Sequence, residues 1–296
     1  MTQANLDWQS KLVLLLVLPY AGAHVVLVTP WWAANAPPFA VWTIGLSVLL
    51  GLVAWGMRSA TIGGAAAGAV ITASLMYSTA IVPYEPWKTA LVPVLALFVL
   101  TSLATRVGRT QKERLGLAEE RVGRSASQVA ANLGLAALIC CEVAQSWIVN
   151  SHWFTATAFL RSLLFAPMLA ALAEAAADTV SSEIGQVLGG QPRMILTLRR
   201  VEPGTDGAIS LAGTLAGIVA AAIAAAAGAW ALQGDMTFFA IAGAGGVFGL
   251  FFDSLLGATL EQRGWLNNDL VNFLSTASAS AFALSAIALL PHALTR

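Results

Sequence analysis

Runs of about 20 apolar residues recur along nearly all of this 296-residue chain, and no motif it carries constrains the fold as much. A helix rises about 1.5 Å per residue, so each run is long enough to cross a hydrocarbon core of about 30 Å. Nine runs meet that length: 11–29, 39–57, 60–82, 89–105, 126–149, 155–177, 208–232, 237–257 and 269–290. Hydrophobic residues make up 58% of the chain and charged ones 10%, whereas a soluble domain carries about a quarter charged residues. The mean hydropathy of +0.76 agrees. The expected fold is an all-α, polytopic membrane bundle of about nine transmembrane helices. It forms a single transmembrane domain over 1–296, with two N-terminal helices in 1–58 ahead of a core in 59–296.

Lysines and arginines orient such a bundle, because cytoplasmic connections carry their excess. With a cytoplasmic N-terminus, that side holds Lys11, Arg58, Arg106, Arg109, Lys112, Arg114, Arg121, Arg124, Arg193, Arg199, Arg200 and Arg263. The other side keeps Lys88 and Arg296, and Arg161 falls within a span. The expected location is an integral membrane protein, in the inner membrane if bacterial, with its polar site facing the cytoplasm. Zero net charge implies no nucleic-acid partner. The first apolar run lacks a small-residue cleavage site and reads as a span rather than a cleaved signal. Adjacent Cys140 and Cys141 have neither disulfide-framework nor zinc-site spacing and read as helix packing.

Acidic residues inside apolar runs are the strongest pointer to function. An ionised side chain at bilayer depth costs at least about 2.5–3.5 kcal/mol, so it faces a polar cavity or a partner. Glu174 and Asp178 lie four residues apart, with Ser181 on the same helical face. Asp253 closes another run heading to the same side, and Asp178-Thr179 and Asp253-Ser254 hint at a parallel repeat. Glu142 is expected deep in the 126–149 span. Gly64/Gly68, Gly213/Gly217 and the Gly243–Gly249 stretch read as small-residue helix packing rather than a dinucleotide fingerprint. Trp31, Trp32, Trp87 and Trp153 read as an interfacial belt on the opposite side.

Three cytoplasmic segments collect the remaining polar residues. The first holds Arg106, Arg109 and Lys112, then Arg124, with Gln128 and Asn132 following at helical spacing. It is either a solvated positive loop or a phosphate-contacting one. The second runs from Ser182 and Glu183 through a short extended element at 194–201, with Arg199 and Arg200, to Pro203-Gly204-Thr205-Asp206-Gly207. That last stretch is turn chemistry placed before an apolar helix, where free backbone N–H groups favour an anion. The third holds Asn268, Asp269 and Asn272, with Asn268 or Asp269 the expected N-cap.

Together these segments resemble the transmembrane-protein-19 family, whose plant member is phytyl-phosphate kinase. The likeness is carried by Arg106–Lys112, Gly123-Arg124 with Gln128 and Asn132, and Ala177-Asp178-Thr179 with Ser182-Glu183-Ile184-Gly185. It continues through Pro203–Thr214, Asp253–Thr259 and Asn268–Phe273, and covers the chain from about residue 40 onward. Val180 and Ala208 depart from the expected pattern. The resemblance implies an integral-membrane kinase that converts an isoprenyl monophosphate to its diphosphate, with CTP or another nucleoside triphosphate as donor.

Phosphoryl transfer needs positioning and charge neutralisation, and an ionised phosphate acceptor needs no catalytic base. Mg²⁺ takes one or two carboxylates plus phosphate oxygens and waters. Asp178, Glu183 and Asp253 are therefore the expected metal ligands, with Asp269 a weaker fourth and a substrate- or nucleotide-binding candidate. Arg199, Arg200, Arg106, Arg109, Lys112 and Arg124 are the phosphate contacts. Gln128, Asn132, Glu174, Ser182, Thr205, Asp206, Asn268 and Asn272 are the other substrate- and nucleotide-binding candidates. The prenyl tail would lie among membrane lipids and Gly/Ala-rich helices; a homo-oligomer stays open. No P-loop motif is present. Two other readings compete: a cytidylyltransferase acting on a lipid phosphate, and a transporter built on Glu142, Arg161 and the repeat.

Overall fold

A computed structural model describes residues 6–109, 112, 123–150 and 163–294. Within them lie ten α-helices: α1 (Asp7–Asn35), α2 (Pro37–Gly56), α3 (Ile62–Ser78), α4 (Leu91–Arg106), α5 (Ala126–Cys140), α6 (Glu142–Asn150), α7 (Ala166–Leu188), α8 (Leu211–Ala231), α9 (Met236–Leu256) and α10 (Asn268–Leu294). A π-helical turn, Gly257–Glu261, extends α9. Strands β1 (Arg193–Met194) and β2 (Ala208–Ile209) form an antiparallel pair in the register Arg193 to Ile209 and Met194 to Ala208. The expected strand at 194–201 thus shrinks to its first residue.

The all-α membrane bundle is as expected, but the count of nine spans is not reached among the described residues. Five helices are long and apolar enough to cross a membrane: α1, α2, α8, α9 with its π turn, and α10. A sixth arises if α5 and α6, bent by 56° at their junction, count as one span. Helices α3 and α4 are apolar but shorter. Helix α7 is 23 residues long but carries Glu174, Asp178 and Glu183. The start of the 155–177 run, with Trp153 and Arg161, lies outside the described residues.

Helix α7 is the centre of the bundle. Every residue from Ala166 to Ala177 is buried, and α4, α5, α8, α9 and α10 all pack on it. Its alanines and the neighbours' glycines allow close approach. A Cβ at Gly213 would meet Ser181 O at 2.6 Å, and one at Gly217 would meet Ala177 O at 2.9 Å. Gly246 seats α9 on the backbone of Ala173 and Glu174, and Gly249 seats it on the Glu174 side chain. The glycine-rich stretches are packing surfaces, as their spacing implies. Helices α1, α2, α3 and α5 form a second group, with α1 also reaching α10.

The end of the bundle where α2, α4, α7 and α9 finish is tied by polar contacts. Asn267 caps α10, accepting from Leu270 N at 3.0 Å, one position ahead of the expected cap. It also donates to Leu6 O and Ser10 Oγ, each at 3.0 Å, while Gln9 donates to Trp265 O at 2.8 Å. At the opposite end, Trp32 is buried among Phe39, Tyr77 and Tyr84, so it is core rather than belt. Trp31 and Trp87 are exposed. Glu142 is exposed too, because the helix breaks at Cys141 and α6 turns its first residue outward. Cys140 and Cys141 are buried free thiols at that break.

The glycine contacts yield a direct comparison. Gly246→Ala puts a Cβ 2.8 Å from Ala173 Cβ and 3.0 Å from its carbonyl carbon. It is expected to destabilise by about 1–3 kcal/mol, as overpacking does. Gly45→Ala meets nothing within 4 Å and gains helix propensity, about 0.5–1 kcal/mol. Thermal unfolding in detergent should therefore move in opposite directions for the two variants.

Candidate active site

Two cavities sit side by side at that tied end. The first, about 240 Å³, lies between the last turns of α7 and α9, the N-terminus of α8 and the loop before it. Asp178, Asp206, Asp253 and Glu261 line it, with Ser181, Ser182, Ser210, Ser254 and Asn268. Asp178 and Asp253 are neighbours in this lining. Asp253 Oδ2 is buried and has no hydrogen-bond partner. Beneath them Glu174 is 1% exposed with Oε1 also unpartnered, and Ser275 stands beside both it and Asp253. Buried, unmatched carboxylate oxygens call for a cation or a donor, since such groups are costly alone.

The Pro203–Gly207 turn roofs this cavity. Gly207 has a positive φ of 71°, and a Cβ there would sit 2.2 Å from Ala258 N, so the turn needs glycine twice over. Gln262 donates to Asp206 O at 2.8 Å, and Thr205 Oγ1 donates to Glu202 O at 2.8 Å. Partial burial raises the Asp206 carboxyl above the ordinary carboxylate range. Ser210 caps α8 by accepting from Gly213 N at 3.1 Å, the local reason the helix begins at the cavity wall.

The second cavity, about 420 Å³, lies among α2, α3, α4 and α5. That volume is in the range of small-molecule sites. Its walls are mostly apolar, and Arg58, Arg106, Arg109, Lys112 and Arg124 gather at its outer end, with Asn132 further in. Arg124 is held by its backbone: its N donates to Ser59 O, and its O accepts from Thr61 N, both at 3.0 Å. Gly123 makes this possible, with φ of 81° and no room for a Cβ beside Ala60 N. The Arg124 guanidinium reaches Thr179 Oγ1 at 3.4 Å, next to Asp178. The two cavities therefore meet at Arg124 and Asp178.

Lys112 is 1% exposed. Its ammonium pairs with Glu183 and donates to Ala104 O at 3.2 Å, near the end of α4. Glu183 is five residues from Asp178, about 140° around the helix, and so it faces the basic cavity's wall while Asp178 faces the acidic one.

The structure thus groups Asp178, Asp253, Ser182, Thr205, Asp206 and Asn268 in one cavity, and Arg106, Arg109, Lys112, Arg124 and Asn132 in the other. Arg199 and Arg200 lie exposed on the hairpin and line neither. Gln128 is taken up in a capping box with Ser125. Asp269 is buried and Asn272 half-buried on α10, outside both cavities. Arg58, Gln186, Ser254 and Glu261 join the site without having been singled out from the sequence. Glu261, eight residues after Asp253, ends the π turn that extends α9. Among the described residues, no group of three His, Cys, Asp or Glu side chains is arranged to hold a metal ion.

An acid-lined and an arginine-lined cavity at one end of an apolar helical bundle define an integral membrane protein with a polar site at its surface. The profile of the integral membrane protein family DUF92 matches residues 45–280, and the chain belongs to that family. An uncharacterised membrane protein of Methanocaldococcus jannaschii is 36% identical over 186 residues, covering 63% of this chain and 71% of its own. The protein VTE6, chloroplastic, of Arabidopsis thaliana is 29% identical over 194 residues, covering 64% of this chain but only 56% of its own length. An uncharacterised membrane protein of Synechocystis is 29% identical over 209 residues, 67% of this chain and 73% of its own. No solved structure matches the chain.

The buried ion pair makes its own prediction. Lys112→Met leaves Glu183, 12% exposed, without its partner, and breaking such a pair from one side costs about 3–5 kcal/mol. The double variant Lys112→Met/Glu183→Gln should recover most of that loss in thermal unfolding. An additive double variant would show that the pair contributes no coupling.

Proposed function

We propose that the protein is an isoprenyl monophosphate kinase that forms the diphosphate from a nucleoside triphosphate, with CTP the first donor to try. The observation that carries this reading is the adjacency of an apolar cavity with an arginine-lined mouth to a cavity lined by four carboxylates. It accords with the resemblance to a family whose plant member is phytyl-phosphate kinase, and with the similarity to a chloroplast protein of Arabidopsis.

In this reading the prenyl tail lies in the apolar cavity and its phosphate rests on Arg58, Arg106 and Arg109. The triphosphate occupies the acidic cavity beneath the Pro203–Gly207 turn. Asp178 and Asp253 would hold magnesium, since the ion favours one or two carboxylates and phosphate oxygens, and the unpartnered Asp253 Oδ2 fits a cation. When bound, magnesium would supply charge neutralisation between the donor's phosphate oxygens. Glu183, paired with Lys112, falls outside this set. An oxygen of the ionised acceptor phosphate attacks the γ-phosphorus, the bond to the β–γ bridging oxygen breaks, and the nucleoside diphosphate leaves. Arg124, at the junction of the cavities, is the group that would meet the transferring phosphoryl. The excess of Lys and Arg at this end supports a cytoplasmic site.

The test is a product assay with purified protein in detergent, a prenyl monophosphate, magnesium and γ-labelled CTP. Label is expected on a prenyl diphosphate, falling about a hundred-fold or more in Asp178→Asn, Asp253→Asn and Arg124→Ala, the scale of losing one charge-stabilising group. Release of pyrophosphate with a nucleotidyl lipid would move the reading to a cytidylyltransferase. Absence of any transfer would overturn it.

A further inference from the structure

We infer that the apolar cavity gauges the length of its ligand's tail, with Thr72, Val94 and Leu97 as the floor that stops it. The inference rests on the kinase reading only for the phosphate headgroup of that ligand. The two ends of the cavity differ in exposure. Arg58, Arg106 and Arg109 at the mouth are exposed, whereas Thr72 is 0%, Val94 3% and Leu97 5% exposed. The inner end is therefore lined by core side chains. Its walls include small residues, Gly64, Ala65 and Gly68 on α3 and Gly51 and Ala54 on α2, which leave room for a branched chain.

Helix geometry sets the depth. Lining residues run over twelve positions of α4, from Val94 to Arg106, and over eight of α3, from Gly64 to Thr72. At about 1.5 Å per residue these spans are about 18 Å and about 12 Å. An isoprene unit adds four chain carbons of about 1.5 Å bonds, about 5 Å when extended. A tail anchored by its phosphate at the arginines therefore meets the floor after about three isoprene units, about fifteen carbons. A fourth unit fits only by folding back or by displacing the floor. The floor is also easy to alter cleanly: Thr72 Oγ1 has no hydrogen-bond partner, so Thr72→Leu adds bulk without breaking a bond.

Binding of five-, ten-, fifteen- and twenty-carbon prenyl monophosphates to the full-length protein in detergent, read by thermal stabilisation, tests the gauge. Affinity is expected to rise with each unit to about fifteen carbons and then level or fall. Thr72→Leu and Val94→Phe should each lower the twenty- to ten-carbon affinity ratio at least ten-fold, and Val94→Ala should raise it. Leu95→Phe, on the neighbouring exposed position of α4, should leave the ratio unchanged. A ratio that none of the floor variants moves, or no binding at any length, overturns the gauge. Diphosphate formation is followed in parallel with a nucleoside triphosphate. The expected binding profile without any transfer would uphold the gauge and sink the kinase reading.

Discussion

The fold depends on the cost of carrying carboxylates into a membrane on one helix. Each ionised group at bilayer depth costs at least about 2.5–3.5 kcal/mol, and α7 carries Glu174, Asp178 and Glu183. Such a helix cannot face lipid, so five others enclose it. Enclosure in turn demands small side chains: Ala170, Ala171, Ala173 and Ala175–Ala177 on α7, and Gly213, Gly217, Gly246 and Gly249 on its neighbours. The polar site and the glycine pattern thus share one cause. Glu174 lies where α9 comes closest, against Gly249, and any bulk there would push the acid-bearing helices apart.

The same helix divides the charge at the end of the bundle. Asp178 turns toward α9, and its acidic neighbours Asp253, Asp206 and Glu261 come from elements packed on that side. Glu183, about 140° away, turns toward α4 and is neutralised by Lys112, whose ammonium also satisfies the carbonyl of Ala104. That pairing ties Lys112 to α7 at one wall of the basic cavity. Arg124 sits on the dividing line, its backbone fixed through Ser59 and Thr61.

Most of the bundle was legible in the sequence, because burial of an apolar run is a local and additive property. The acidic cavity was partly legible for a related reason: carboxylates in apolar helices have few places to go, and Asp178 and Asp253 ended together. What escaped depends on partners far along the chain or on one-residue shifts. Glu183 looked like Asp178 until Lys112 claimed it. Glu142 looked buried because hydropathy runs on through Cys140 and Cys141, with no proline or glycine to mark the break. Gln128 carried a readable capping signature, Ser125-x-x-Gln128, beside a motif that drew attention to ligands. Arg199 and Arg200 had the right chemistry, but the β1–β2 pairing holds their hairpin outside both cavities. Among the described residues nine spans are not reached, because α3 and α4 are apolar without being long, and α7 is long without being apolar throughout.

The two cavities keep an apolar lining and a carboxylate lining apart at one end of the bundle. On the proposed reading a phosphoester with an apolar tail arrives from lipid and a triphosphate from water, so one pocket suited to both would need walls that are dry and charged at once. Here the dry wall belongs to α2, α3, α4 and α5 and the charged one to α7, α8 and α9. Only the outer ends of the two meet, at Arg124 and Asp178. On the proposed reading the reacting phosphates are the parts of both ligands that reach that junction, while the tail and the nucleoside remain in surroundings suited to each. The tail's length then matters because it decides how far a floor-limited ligand can carry its phosphate toward Arg124.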